Sequence, residues 1–515
     1  MADSLMAIPS RSLGQQDRVS DYPLQKRFLI YGTAAGIFAL IVFQSMLAGF
    51  AFLVLFACVG GVWRRDGAAV LPYCLAYQWF FIVAGYFFQS WSGFYPGSNN
   101  IGEIERAVFW SLVGLIAVVT GIRVGLLVLS KWTSQARSRL QEPRKEYDLK
   151  MLFWCVIAFY SISWFIEFSP IDRAFNIAQI LYRVLEFRTV FLFMLFLSIV
   201  RRRKGYTYGL IALVYTTIPA FSSQMSAFAG SFLLTFIALL SCLRLDSKLR
   251  KDRRRNGQII LALSATACAL FVMALIWQGG VKFDWRNKLV TGAVTGSPMD
   301  KAAAFLSTVD NGITRFNLET AVESLAERTS SGPAYFSAVL ERVPATVPHE
   351  NGALVLRALQ LTFQPRFLFP EKPNLGGDSW LVRKYAGLTV AGAESGTSIG
   401  LGYMAELYID FGIPGMLVAL LVYGLIIGLA YGALVFVSPS YTFYVGAVTI
   451  MFAQHFTSYE GEIAKLLGGL VQTFIIFSLL LKVLGPYIHG RLLPRASPSP
   501  RFGEVSPQVA ASRLQ

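Results

Sequence analysis

Charge is what this 515-residue sequence has least of: Asp, Glu, Lys and Arg make up 15% of it, where an ordinary soluble domain carries about 25%. Acidic residues are scarcer than basic ones, 30 against 46, for a net charge of +16. Five cysteines (Cys58, Cys74, Cys155, Cys242, Cys268) lie inside apolar blocks with no CxxC pair, which argues against disulfides and a zinc site. The three histidines, His349, His455 and His489, are scattered, so no metal centre is expected from them. The excess of cations does not point to nucleic acid, because Lys and Arg gather between apolar blocks at alternate loops, as membrane topology requires.

What the chain has in surplus is apolar surface, 55% hydrophobic and 14% aromatic, with a mean hydropathy of +0.52. The surplus comes in blocks of roughly 17–25 residues, the length that crosses about 30 Å of hydrocarbon as a helix. Such blocks are too long and uniform for barrel strands. The expected fold is therefore all-α and polytopic, with about twelve transmembrane helices. Their expected ranges are 28–46, 47–63, 68–91, 107–129, 151–168, 175–200, 206–223, 224–245, 258–280, 413–437, 442–456 and 466–488. The basic stretches at 64–65, 131–150, 201–204 and 248–255 all fall on one side, so both termini are expected in the cytoplasm. The polar residues 1–27, ending in Lys26–Arg27, read as a cytoplasmic tail before an uncleaved first span.

The resulting organisation is a tail (1–27), nine spans (28–280), a large periplasmic loop (281–398), three spans (399–488) and a cytoplasmic tail (489–515). The loop holds about a dozen Lys/Arg and nearly as many Asp/Glu, and loops of this length tend to be functional. Ser297–Pro298 predicts a helix start, and Asn317 a helix cap followed by Glu319 and Glu323. Gly332–Pro333 predicts a break, with short amphipathic helices over 334–343 and 353–363 lying on the membrane surface as a cap. No solenoid-length repeat is visible.

Two constellations could carry chemistry. In Gln364-Pro365-Arg366-Phe367-Leu368-Phe369-Pro370-Glu371-Lys372-Pro373, three prolines hold Arg366 and Lys372 on a rigid turn, the presentation that bidentate phosphate recognition needs. Arg357, Arg383, Lys384 and Tyr385 are near in sequence. A loop corner with Arg366 paired to Glu371 or Asp378 reads equally well. The second constellation, 394–412, enters the membrane through small residues and sets Glu406 and Asp410 one helical turn apart. Carboxylates at membrane depth are functional candidates by default, although a helix-end Glu406 satisfied by Arg or backbone N–H is the plainer alternative. Arg328 is explained by Glu327 and a solvated helix end.

The order Arg328, Pro344, Gly352, Pro365-Arg366, Pro370-x-Lys372-Pro373, Thr397-Ser398-x-Gly400 and Glu406-x-Tyr408-x-x-Phe411-Gly412-x-x-Gly415 resembles the Wzy-type O-antigen and exopolysaccharide repeat-unit polymerases, over roughly a sixth of the chain. The Arg366 to Gly377 spacing also recurs in that family. The chain departs from the family's two Arg-rich loops, its second candidate being only the short stretch 170–188 with Arg173, Arg183 and Arg188. The resemblance implies a GT-C-like glycosyltransferase in the bacterial inner membrane that joins polyprenyl-diphosphate-linked oligosaccharides by inverting transfer, with neither metal nor cofactor. Its partners would be the lipid-linked glycan, membrane lipid, a flippase and a chain-length regulator. On this reading Arg366, Arg328 and Glu406 are catalytic, and Lys372, Arg357, Arg383, Lys384, Tyr385 and Tyr408 bind substrate. The alternatives are an O-antigen ligase or other lipid-linked-sugar transferase, and a lipid-linked glycan transporter.

Overall fold

In lipid a backbone must satisfy its own N–H and C=O groups, so long apolar blocks fold as helices. The computed structural model describes residues 13–64, 68–92, 101–141, 147–167, 178–217, 229–243, 250–294, 298–364, 369, 378–392 and 398–494, and all regular structure in them is helical. Among the described residues seven helices are long and apolar enough to cross a membrane: Gln25–Phe43, Val70–Ser90, Glu103–Val128, Leu149–Ile166, Arg253–Leu289, Tyr403–Phe436 and Ile463–Val483. The chain is a helical, multi-pass membrane protein. Five other expected spans fall on shorter helices, Met46–Val62, Arg188–Arg202, Tyr206–Thr217, Ala229–Leu240 and Tyr441–His455.

The most extensively packed pair is Ile101–Val128 against Tyr403–Ala433. Gly121 and Gly125 on one helix meet Gly424 and Gly428 on the other, and the backbones touch because none of the four carries a side chain. A Cβ on Gly125 would stand 2.6 Å from the Leu425 carbonyl oxygen, and one on Gly424 or Gly428 would strike the carbonyls of Val118 or Ile122. Small residues four apart are the means by which lipid-embedded helices gain close contact.

Local signals fared unevenly in the loop. Asn317 caps its helix as expected, accepting from the Thr320 N–H at 3.1 Å, and Ala353–Phe363 is helical over the expected range. The break expected at Gly332–Pro333 does not occur: Leu318–Arg342 is one helix with Pro333 inside it. Its buried flank packs on Val70–Ser92 and Ile101–Val128, and the Tyr459 ring fills the place of a Gly332 side chain, so tertiary packing outweighs the lost hydrogen bond. The span expected to end at residue 280 continues through a π turn, Trp277–Val281, into Lys282–Val290. Trp277, Val281 and Trp285 make a small second core there with Phe305 of Pro298–Thr314. The expected span 175–200 is divided at Phe187 into Ala178–Glu186 and Arg188–Arg202.

The two ends of the bundle are chemically distinct. At one, Tyr147 joins Ser440 and His489 (2.5 and 2.7 Å), and Arg202 donates to the Tyr147 carbonyl. At the other, which we term the loop-side end, residues of the stretch 281–398 meet the connector 457–462.

Candidate active site

The site is built on the entry to the helix Tyr403–Ala433. Gly412 sits at φ +65°, ψ −175°, a conformation glycine adopts without strain, and it separates two buried turns, residues 403–410, from the long span that follows. Those first turns are pinned from the loop. Tyr408 donates to the Val343 carbonyl (2.7 Å) and packs on Phe336 and His349. Asp410 accepts the Leu354 and Val355 N–H groups (3.1 and 2.8 Å) at the start of Ala353–Phe363. Tyr408, expected to bind substrate, is thus a buried strut, and Asp410 is a helix cap.

One turn earlier, Glu406 is 2% exposed. Its Oε2 accepts the Ile463 N–H at 3.2 Å, whereas Oε1 has no hydrogen-bond partner among the described residues. Backbone pairing therefore accounts for half of this carboxyl and leaves the other half unused. Glu406 lines a narrow cleft with Glu462, Ile463, Arg357, Trp380 and Leu354. The Arg357 guanidinium lies 5.2 Å from the Trp380 ring centroid, a stacked geometry that leaves its N–H edges able to donate. Glu462, 9% exposed, is the N-cap residue of Ile463–Val483, and its Oε2 also lacks a hydrogen bond among the described residues. Its carboxyl lies within hydrogen-bonding reach of Asp378. Lys465 donates to Asp378 and to Ser398 Oγ (3.2 Å), and stands 4.0 Å from Glu462. Burial, and next the Asp378 carboxyl, push Glu462 up to about 8, against the opposing pull of Lys465 and Arg357.

The other expected residues are dispersed around this cleft. Lys384 and Tyr385 both donate to Glu350 Oε1 (2.8 and 2.5 Å), which holds the Glu350 carboxyl below its usual range. Arg383 donates from Nε and Nη2 to the Val390 carbonyl (3.0 and 2.6 Å). Arg328 pairs with Glu460, which also accepts from Ser331, so its partner is a distant residue and not Glu327. Arg366 and Lys372 lie outside the described residues. Of the expected residues, Glu406 and Arg357 line this cleft together, and Glu462 and Trp380 line it without having been expected. The sequence signal for Glu462 and Lys465 is Glu460-Gly461-Glu462-x-x-Lys465, a knot of charge in a turn between two apolar stretches. Among the described residues no group of three or more His, Cys, Asp or Glu is arranged to hold a metal ion.

Fold and site together define a multi-pass helical membrane protein with a buried, carboxyl-lined cleft between Ala353–Phe363, the start of Tyr403–Ala433 and the start of Ile463–Val483. Residues 74–483 match the family model described as Domain of unknown function (DUF8712), and the chain belongs to that family. No curated protein and no solved structure matches it.

Proposed function

We propose that the chain is a membrane glycosyltransferase of the O-antigen and exopolysaccharide polymerase type. It would have twelve spans in a GT-C-like arrangement, with both termini in the cytoplasm and the loop-side end facing the periplasm across the bacterial inner membrane. An acceptor sugar hydroxyl attacks the anomeric carbon of a polyprenyl-diphosphate-linked glycan, on the face opposite the departing lipid diphosphate. Charge develops on that diphosphate as the glycosidic bond breaks, and fixed cations stabilise it, each preorganised donor contributing about 2.7–4 kcal/mol by analogy with oxyanion sites. Arg366 and Lys372 supply the clamp, and Arg357 a further cation. Arg328 acts at a distance, by fixing the connector 457–462 through Glu460.

The observation that carries this reading is the cleft itself. It sets carboxyl oxygens that have no hydrogen-bond donor among the described residues beside Arg357, which precedes Arg366 closely in sequence. General-base chemistry on a hydroxyl and anion stabilisation need those two elements side by side. The test is purified protein supplied with lipid-diphosphate repeat units. A ladder of products supports a polymerase, single transfer a ligase, and no turnover a carrier. Arg366→Ala is expected to abolish the ladder with membrane insertion intact; normal chain length in that variant removes the assignment.

A further inference from the structure

The cleft contains two acidic side chains, and they are not equivalent. Glu406 is committed on one oxygen to the Ile463 N–H, the first amide of Ile463–Val483. Glu462 is the residue immediately before that amide, so the Glu406 bond fixes the backbone from which Glu462 projects. Glu462 in turn faces Asp378, which Lys465 holds, and two carboxyls at hydrogen-bonding distance hold together by sharing a proton.

We propose that Glu462, not Glu406, takes the proton of the attacking hydroxyl, as one half of a carboxyl pair with Asp378, and that Glu406 is its positioning residue. This rests on the glycosyl-transfer reading above. In the step, the hydroxyl oxygen bonds to the anomeric carbon and the bond from that carbon to the diphosphate oxygen breaks. The electron pair leaves with the diphosphate, and the hydroxyl proton passes to the Glu462 carboxylate. The pair then shares that proton and returns it to water before the next transfer. Lys465 sets how readily it does so, since it contacts both carboxyls.

The experiment uses the full chain in nanodiscs, with lipid-diphosphate oligosaccharides extracted from cells lacking this protein. Ladder synthesis by wild type is expected to rise with pH through about 8 as Glu462 ionises. Asp378→Asn removes a neighbouring negative charge and moves that limb to lower pH; Lys465→Met removes a positive one and moves it to higher pH. Glu462→Gln abolishes synthesis. Glu406→Gln keeps an oxygen for the Ile463 N–H and retains both rate and limb, whereas Glu406→Ala does not. An active Glu462→Gln, or a Glu406→Gln as inactive as Glu406→Ala, overturns the proposal. If Glu462→Gln fails to elute as wild type, the opposite shifts of Asp378→Asn and Lys465→Met decide, and coincident limbs overturn it. Infrared spectroscopy of the resting protein separates this failure from that of the parent reading. A protonated-carboxyl band present at neutral pH in wild type and lost in Glu462→Gln supports the pair even if no glycan is transferred, and a band unchanged in Glu462→Gln refutes it.

Discussion

The glycine seam between Ile101–Val128 and Tyr403–Ala433 can be tested by the smallest side chain available. In Gly125→Ala the new Cβ would stand 2.6 Å from the Leu425 carbonyl oxygen and 2.9 Å from the Leu429 nitrogen. Both obstacles are backbone, so neither can rotate away, and the helices must separate by several tenths of an ångström along the whole contact. Each heavy-atom pair at optimal separation contributes only about 0.1–0.2 kcal/mol, but a gap of ~0.5–1 Å forfeits a quarter to a half of that over dozens of pairs. The expected cost is about 1–3 kcal/mol, the range for an overpacked core. Alanine is also the better helix former, by about 0.8–1.0 kcal/mol, which supplies an internal control. Gly257, within Arg250–Ile276, has nothing within 4 Å of its would-be Cβ, so Gly257→Ala is expected to be neutral or stabilising. The assay is resistance of the detergent-solubilised protein to SDS titration, each variant against wild type. Equal midpoints for Gly125→Ala and Gly257→Ala would refute the seam as a source of stability.

Three further outcomes follow from the loop contacts. Glu350 has its proton affinity lowered by Lys384 and Tyr385, so its stabilisation is complete above the ordinary Glu range and is lost as pH falls through the lowered value. Amide exchange over 378–392 should therefore quicken in acid, and Glu350→Gln should show the faster exchange already at neutral pH. Tyr408→Phe removes one buried hydrogen bond, should cost about 0.5–1.5 kcal/mol in the same SDS titration, and should leave any transfer activity in place. Asp410→Ala removes the acceptor of two backbone N–H groups, and should cost about 1–3 kcal/mol with exchange quickened first in Ala353–Phe363.

The helical, membrane-embedded character of this chain is legible because length and hydropathy are local quantities; so are the Asn317 cap and the helix Ala353–Phe363. Pro333 marks where local reasoning stops. A helix breaker by its own chemistry, it stays in a helix because Tyr459, more than a hundred positions away, packs on its neighbour Gly332. The candidate site divides in the same way. Glu406 could be singled out as a carboxyl entering the membrane, but Glu462 gains significance only from Asp378 and Glu406, which come from other segments. Tyr408 and Arg328 lie within the recognisable motif, yet their partners, the Val343 carbonyl and Glu460, identify them as supports.

The connector 457–462 also imposes an order on biogenesis. Arg328 awaits Glu460, Gly332 awaits Tyr459, Asp378 awaits Lys465, and Glu406 awaits the Ile463 amide. A ribosome delivers residues at about 5–20 per second, so the whole loop emerges several seconds before the residues that lock it. During that interval the cleft lacks the half that Glu462 and Ile463 supply, and the helix Ile463–Val483 completes it.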